Sequence, residues 1–307
     1  MKKLLCIIFV LFMLFPSVAM AEGAQASAQT FSDHVHEKTH EIAVLSQGSG
    51  ENRNAEEATS DEPNHVDYFD EEGKPKLSIW TPKDFHPKKK YDVFVFLQGS
   101  GENLNVAEVT ATKHYDVLIS DIYEGIDADF IVVGIQDGSD FDEISGRVLF
   151  ALSYVADHYP TYAASGSSED LKKAREHIIV GGMSNGGRMA TYFVTHYNEY
   201  VANAIIMSPT VAMDPGEGFH LKHLFVCIGT NDNKPCRPAA RESYAKLKPY
   251  ADKKFFSLYQ GRHQWKFWNV QIALALNFVF DLGDYEGRAS LMLISPCNIC
   301  EPISVRK

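Results

Sequence analysis

The stretch His177 to Thr191, HIIVGGMSNGGRMAT, is compatible with very few folds. Ile178-Ile179-Val180-Gly181 is an apolar run of the kind that forms a buried strand. It passes without a linker into Gly182-Met183-Ser184-Asn185-Gly186, which matches G-x-S-x-G. In that pattern a serine occupies a sharp strand-to-helix turn, with its hydroxyl projecting into a cleft and a helix N-terminus behind it. The residues two before and two after must lack bulk, hence Gly182 and Gly186. Arg188 to Val194 then shows the small and apolar spacing of a helix laid on a sheet. Such a motif also suits an ordinary strand-turn-helix connection, so the partners of the serine decide its meaning.

The flanking sequence supplies a sheet for this turn. Strand signals occur at Leu77 to Trp80, Tyr91 to Leu97, Phe130 to Val133, Ile178 to Gly181, Ala204 to Met207, Leu224 to Ile228 and Phe255 to Leu258. YDVFVFL is continuously apolar, as expected of a strand buried on both faces. Helical patterns intervene at about 114–124, 147–159, 185–197, 238–250 and 265–280. Strands alternating with helices predict an α/β domain with a mostly parallel sheet covered on both faces. The stretch from Lys76 to Lys307 is long enough for one such domain with a sizeable core. It carries no dinucleotide or metal motif, so neither a cofactor nor a metal is expected.

Three further segments complete a chemical constellation. Gln98-Gly99-Ser100-Gly101 follows the apolar strand, and glycine there lets backbone N–H groups approach a substrate oxygen, so Gly99, Ser100 and the N–H of Asn185 are the expected oxyanion hole. Asp232 is the first carboxylate beyond the strand ending at Ile228. His263 follows in Gly261-Arg262-His263-Gln264-Trp265, before the last helix. The order Ser184, Asp232, His263 is that of α/β-hydrolases. In this chemistry His263 takes the serine proton, Asp232 holds the imidazole in the useful tautomer, and water releases the acyl-enzyme. Gln98, Met183 and Trp265 are the candidate substrate contacts. Trp265 and Trp268 admit two readings, an aromatic wall for a phenol or sugar and the packing of the last helix. His114, His177, His196, His220 and His223 lack the required position and are expected to be structural or superficial, as is Arg188.

The segments KLSIWTPKDFHPKKKYDVFVFLQGSGENLN, HYPTYA, REHIIVGGMSNGGRMATYFV, CIGTND and GRHQWKFW resemble the esterase-D type of α/β-hydrolase, particularly feruloyl esterases acting on xylan, over residues 76 to 282. The resemblance implies an α/β-hydrolase fold, a cofactor-free Ser184–Asp232–His263 triad and release of hydroxycinnamic acids from arabinoxylan. Gln98 replaces the histidine usual in relatives, and Asn185 stands where many have methionine or glutamine. The same superfamily includes acetyl, siderophore and polyester esterases and peptidases, among which fold-level likeness does not choose. A non-catalytic carbohydrate-binding protein that kept the fold is the alternative from another class.

Upstream, Lys2-Lys3, the apolar run Leu4 to Leu14 and Ala19-Met20-Ala21 read as a secretory signal peptide over residues 1–21, too short to span a membrane. Secretion, either periplasmic or extracellular, is expected, with no membrane anchor after removal of the signal. Residues 22–75 read as an acidic flexible leader. Between Glu22 and Glu72 thirteen acidic side chains face two basic ones, which accounts for the formal net charge of −11. The catalytic body is therefore nearly balanced, so the low pI does not point to a cationic substrate and nothing is basic enough to suggest nucleic acid; the resemblance implies an ester substrate, an acylated polysaccharide or its oligosaccharides. His34, His36 and His40 are read as parts of a solvated linker. Gln47 to Asn52 repeats Gln98 to Asn103 identically, without a physical account. In an oxidising compartment Cys227, Cys236, Cys297 and Cys300 favour disulfides with three possible pairings; a Cys227–Cys236 bridge would brace the acid loop. A zinc or redox role for Cys297-x-x-Cys300 is the lesser alternative.

Overall fold

A computed structural model describes residues 64–69, 75–100, 126–135 and 140–282. The strands are β1 (Asn64–Phe69), β2 (Pro75–Thr81), β3 (Asp92–Leu97), β4 (Phe130–Ile135), β5 (Ile178–Met183), β6 (Asn203–Met207), β7 (Leu221–Gly229) and β8 (Ala251–Tyr259). The helices are α1 (Phe141–His158), α2 (Ser168–Lys173), α3 (Asn185–His196), α4 (Cys236–Leu247) and α5 (Trp265–Val279). The strands form one sheet in the order β1-β2-β4-β3-β5-β6-β7-β8. β1 and β2 run antiparallel, β2 meets β4 antiparallel, and every pairing from β4 to β8 is parallel. The order turns back at β3, so β4 and β5 flank it on opposite sides. Crevices at such a reversal lie at the carboxyl ends of the strands, which is where Gln98 and Ser184 emerge.

Strand alternation divides the core. Val93, Val95 and Leu97 of β3, Val180 of β5, Ile206 of β6 and Val226 of β7 point to the face covered by α1, α2, α3 and α4. Phe94, Phe96, Ile179, Met183, Ile205, Met207, Phe225 and Cys227 point to the face covered by α5. Both sides are apolar because both are covered, and this is why these strands read as unbroken hydrophobic runs. α1 starts where the Asp140 carboxylate accepts the Glu143 N–H at 2.8 Å, an N-cap with Asp142 and Glu143 in the first turn to complement the helix dipole.

Three features differ from the sequence reading. The sheet begins upstream of Lys76, because β1 lies in the segment assigned to the acidic leader; NHVDYF, at the edge of the sheet, mixes polar and apolar residues and lacks the apolar run that marks an interior strand. α2, with Leu171 as its one buried side chain, is too short and polar to show a helical stripe. Cys227 and Cys236 are free thiols rather than a bridge. Cys227 belongs to the α5 side of the sheet and Cys236 to the α4 side, so the sheet itself separates them. The signal peptide, most of the leader, the first QGSGEN copy, the helical pattern at 114–124 and Cys297 and Cys300 lie outside the described residues.

Phe193 of α3 is fully buried beneath the helix and stacks on Tyr197 at 5.1 Å between ring centroids. Phe193→Ala should cost about 3–5 kcal/mol, because the sheet beneath cannot collapse into the cavity. Urea unfolding followed by circular dichroism measures this.

Candidate active site

Ser184 occupies the turn between β5 and α3 with φ 56° and ψ −118°, a region that residues with a Cβ rarely enter. Its own neighbours hold it there: the Ser184 N–H donates to the Met207 carbonyl at 3.0 Å, and the Ser184 carbonyl accepts the Arg188 N–H at 3.1 Å. Such a conformation costs about 1–3 kcal/mol and persists only where surrounding structure enforces it. The enforcement is backbone against backbone. A Cβ on Gly186 would overlap the carbonyl oxygens of Leu97 and Gln98, one on Gly182 would overlap the Gly186 carbonyl, and one on Gly187 would lie 2.5 Å from the Met207 carbonyl oxygen. Gly187, not singled out from the G-x-S-x-G pattern, is therefore as necessary as the two motif glycines.

Asp232 follows β7 and His263 follows β8, two adjacent parallel strands. Their loops are tied together: the Thr230 N–H donates to the Tyr259 carbonyl at 2.8 Å and the Asn231 N–H to the Gly261 carbonyl at 2.9 Å. The result is a continuous chain. His263 Nδ1 lies 2.6 Å from Asp232 Oδ1, and His263 Nε2 lies 2.7 Å from Ser184 Oγ. An ionised carboxylate only accepts, so Nδ1 carries the ring proton and Nε2 is the bare nitrogen facing the serine hydroxyl. That is the tautomer a general base requires.

The Asp232 side chain is fully buried. Burial alone would raise its pKa, but hydrogen bonds from His263, from the Ser208 hydroxyl at 2.7 Å and from the Asn233 N–H at 2.6 Å outweigh burial and hold the carboxyl below its ordinary value. Ser208, at the end of β6, also accepts the indole N–H of Trp268 at 3.1 Å. The Trp268 ring stands edge-on to the His263 ring, with centroids 4.8 Å apart. Sequence reasoning missed Ser208 altogether: Ser-Pro after a strand carries no motif, and its role depends on β6 lying beside β7. Cys236 Sγ lies 3.9 Å from His263 Nδ1, and burial pushes its thiol up to about 11, so it is a neutral neighbour. Asp232, Cys236 and His263 offer ligand atoms within 4.8 Å of one another. Two of these atoms, Asp232 Oδ1 and His263 Nδ1, are already bonded to each other at 2.6 Å.

The remaining candidates fall into place unevenly. Gly99 packs on the serine, where a Cβ added to it would be 3.2 Å from Ser184 Cβ. Ser100 beside it is exposed, and Asn185 is the half-buried first residue of α3. Gln98 is buried at the head of this loop, with no partner for Nε2 among the described residues. Met183 is fully buried in the α5-side core, so it supports the turn from below rather than offering a surface to a substrate. Trp265 is half-buried edge-on to Trp268 at 5.9 Å, and Trp268 is buried, which favours the packing reading for the latter. Arg188 lies over the Phe141 ring at 4.8 Å and ties α3 to α1. His177 bonds Asp92 at 2.7 Å at the far end of the sheet, and His223 bonds Asn203 at 2.8 Å in the core.

Gly186→Ala must push α3 away from β3 and displace Ser184. The rate of fluorophosphonate labelling should drop about 100-fold while circular dichroism still reports a folded chain. Iodoacetamide under non-reducing conditions should leave Cys227 and Cys236 unmodified in the folded protein and alkylate both once guanidinium unfolds it, as read by peptide mass mapping; a bridge between them would keep them unmodified in both states.

No family model matches the chain. The endo-1,4-beta-xylanase Y of Acetivibrio thermocellus is 28% identical over 137 residues, which span 42% of this chain and 12% of that protein. The feruloyl esterase module of Clostridium thermocellum, solved as a sinapinate complex, superposes with a TM-score of 0.58 at 20% identity, covering 71% of this chain and 88% of the module. The ferulic acid esterase of the anaerobic fungus Anaeromyces mucronatus gives 0.51 at 16% identity over 75% and 96%. The S-formylglutathione hydrolase of Staphylococcus aureus gives 0.51 at 13% over 71% and 98%. At these identities the likeness is one of architecture: the chain has the α/β-hydrolase fold.

Proposed function

We propose that this chain is a secreted serine esterase that hydrolyses carboxylic esters through an acyl-enzyme, releasing feruloyl groups from plant cell-wall xylan. The observation that carries the reading is the unbroken chain from Asp232 through His263 to Ser184, with the serine on an enforced positive-φ turn. Ser184 Oγ attacks the ester carbonyl as His263 Nε2 takes its proton. The carbonyl oxygen becomes an oxyanion facing the N–H groups of Asn185 and the Gly99–Ser100 loop. The protonated His263 then gives its proton to the departing alcohol oxygen, leaving Ser184 acylated. A water deprotonated by His263 attacks the acyl carbon and frees the carboxylic acid, restoring the serine hydroxyl. Asp232 stays ionised throughout and stabilises the imidazolium.

The choice of acyl group rests on the segments quoted above and on the company the fold keeps: two of the solved structures just described are feruloyl or ferulic acid esterases, and the curated relative is a xylanase. Export rests on the N-terminal sequence.

Methyl ferulate, para-nitrophenyl acetate, acetylated xylan and a peptide anilide, offered to the protein and to Ser184→Ala, discriminate the readings. Ferulate turnover should be present and should fall by at least about 1,000-fold in the variant. Turnover of acetate or anilide alone would move the assignment to a deacetylase or a peptidase. Inertness toward all four would favour a carbohydrate-binding protein.

A further inference from the structure

We propose that Ser208, oriented by Trp268, is a positioning residue for the acid of this site: its hydroxyl holds the second oxygen of Asp232 and so keeps the first aimed at His263. The proposal rests on the serine-hydrolase reading of Ser184 and His263. The argument is one of hydrogen-bond direction. An indole N–H only donates, so the contact from Trp268 Nε1 at 3.1 Å occupies the acceptor side of the Ser208 hydroxyl. That hydroxyl has one proton, and the carboxylate 2.7 Å away is where it goes. Trp268 to Ser208 to Asp232 is therefore polarised in a single sense, and the carboxylate receives donors from two sides, Ser208 on Oδ2 and His263 with the Asn233 N–H on Oδ1.

Without Ser208, Oδ2 would be a carboxylate oxygen sealed from solvent with no partner among the described residues, and only the two donors on Oδ1 would be left to fix the plane of the carboxylate. The position is specific. Ser208 adopts φ 46°, and its N–H donates to the Cys227 carbonyl at 3.0 Å, so the backbone at the end of β6 is turned to bring this side chain under Asp232. Ser208 is itself fully buried, which removes water as a competing donor. Among the described residues the titratable groups facing Asp232 are His263 from the β8–α5 loop, Cys227 from β7 and Cys236 from α4, and burial keeps both thiols protonated. The carboxylate charge thus acts on His263 and is moderated by Ser208.

Removing the hydroxyl should weaken catalysis, since the carboxylate loses one of the donors that set its orientation toward His263. Two variants separate this from misfolding. Ser208→Ala keeps the Cβ, and Ser208→Gly suits the positive φ; both delete the donor. Trp268→Phe keeps a ring against His263 and deletes only the indole N–H. The expected result is a kcat reduced about 10-fold to 100-fold in both Ser208 variants with KM changed less than about twofold, and a smaller loss in Trp268→Phe.

In parallel, the proton NMR resonance of the His263 Nδ1–H, which lies far downfield when that proton is held by Asp232, should shift or broaden in the Ser208 variants with no substrate present. An unchanged Nδ1–H resonance and unchanged kcat in a folded Ser208→Gly would overturn the assignment of Ser208. A lowered melting temperature with neither the resonance nor kcat moved would likewise mark it as structural only. If the parent protein proves inert to every ester, the esterase reading fails on its own, while the Nδ1–H resonance still decides whether Ser208 acts on the Asp232–His263 pair.

Discussion

Between the carboxyl end of β3 and the first turn of α3 there is no room for a methyl group. The carbonyl oxygens of Leu97 and Gln98 occupy the volume that a side chain at 186 would need, and the carbonyl of Gly186 fills the volume above Gly182. This close approach of main chain to main chain sets the angle at which the helix leaves the sheet, and with it the φ of 56° at Ser184. The contact is possible because β3 and β5 are adjacent parallel strands, with Leu97 paired to Gly182. The same approach brings Gly99 against the serine. One steric constraint therefore places Ser184 and the Gly99–Ser100 loop, and both follow from three glycines and a strand order.

The second half of the site is held by polarity rather than by contact. A carboxylate with no solvent exposure is tolerable only when its lone pairs are taken, and Asp232 accepts from a ring nitrogen, a hydroxyl and a main-chain N–H. These bonds fix the imidazole tautomer without any further device. Trp268 serves twice, standing edge-on to the His263 ring and donating to Ser208, so the helix that covers one face of the sheet also braces the proton chain. Ser208, like Ser184, holds a positive φ; it does so at the end of the neighbouring strand, where it turns its hydroxyl to Asp232.

What could be read before the structure was whatever local chemistry encodes. Interior strands announced themselves as continuous apolar runs because both faces are covered, and the order of Ser184, Asp232 and His263 matched the elements that carry them. What could not be read depends on neighbours in space. The face to which Cys227 points follows from its parity with Phe225 in β7, and its nine-residue spacing from Cys236 concealed the sheet between them. Met183 sits next to Ser184 in sequence and beneath it in the fold, since alternation sends it into the core. β1 was hidden by the acidic residues on either side of it, α2 by its brevity, and Ser208 by the absence of any pattern that links the end of one strand to the loop after the next.

The loops bearing Asp232 and His263 are joined by two main-chain hydrogen bonds, and a Cβ on Gly229 would lie 2.5 Å from the Gly261 carbonyl oxygen. Mechanically, Asp232 and His263 thus sit on a single jaw built on β7 and β8, while Ser184 belongs to an opposing jaw built on β5 and α3. β6 is the hinge pin between them, bonded to Ser184 through the Met207 carbonyl and to the Asp232 side through the N–H and hydroxyl of Ser208. The register of this one strand between β5 and β7 therefore sets how far the imidazole stands from the serine hydroxyl.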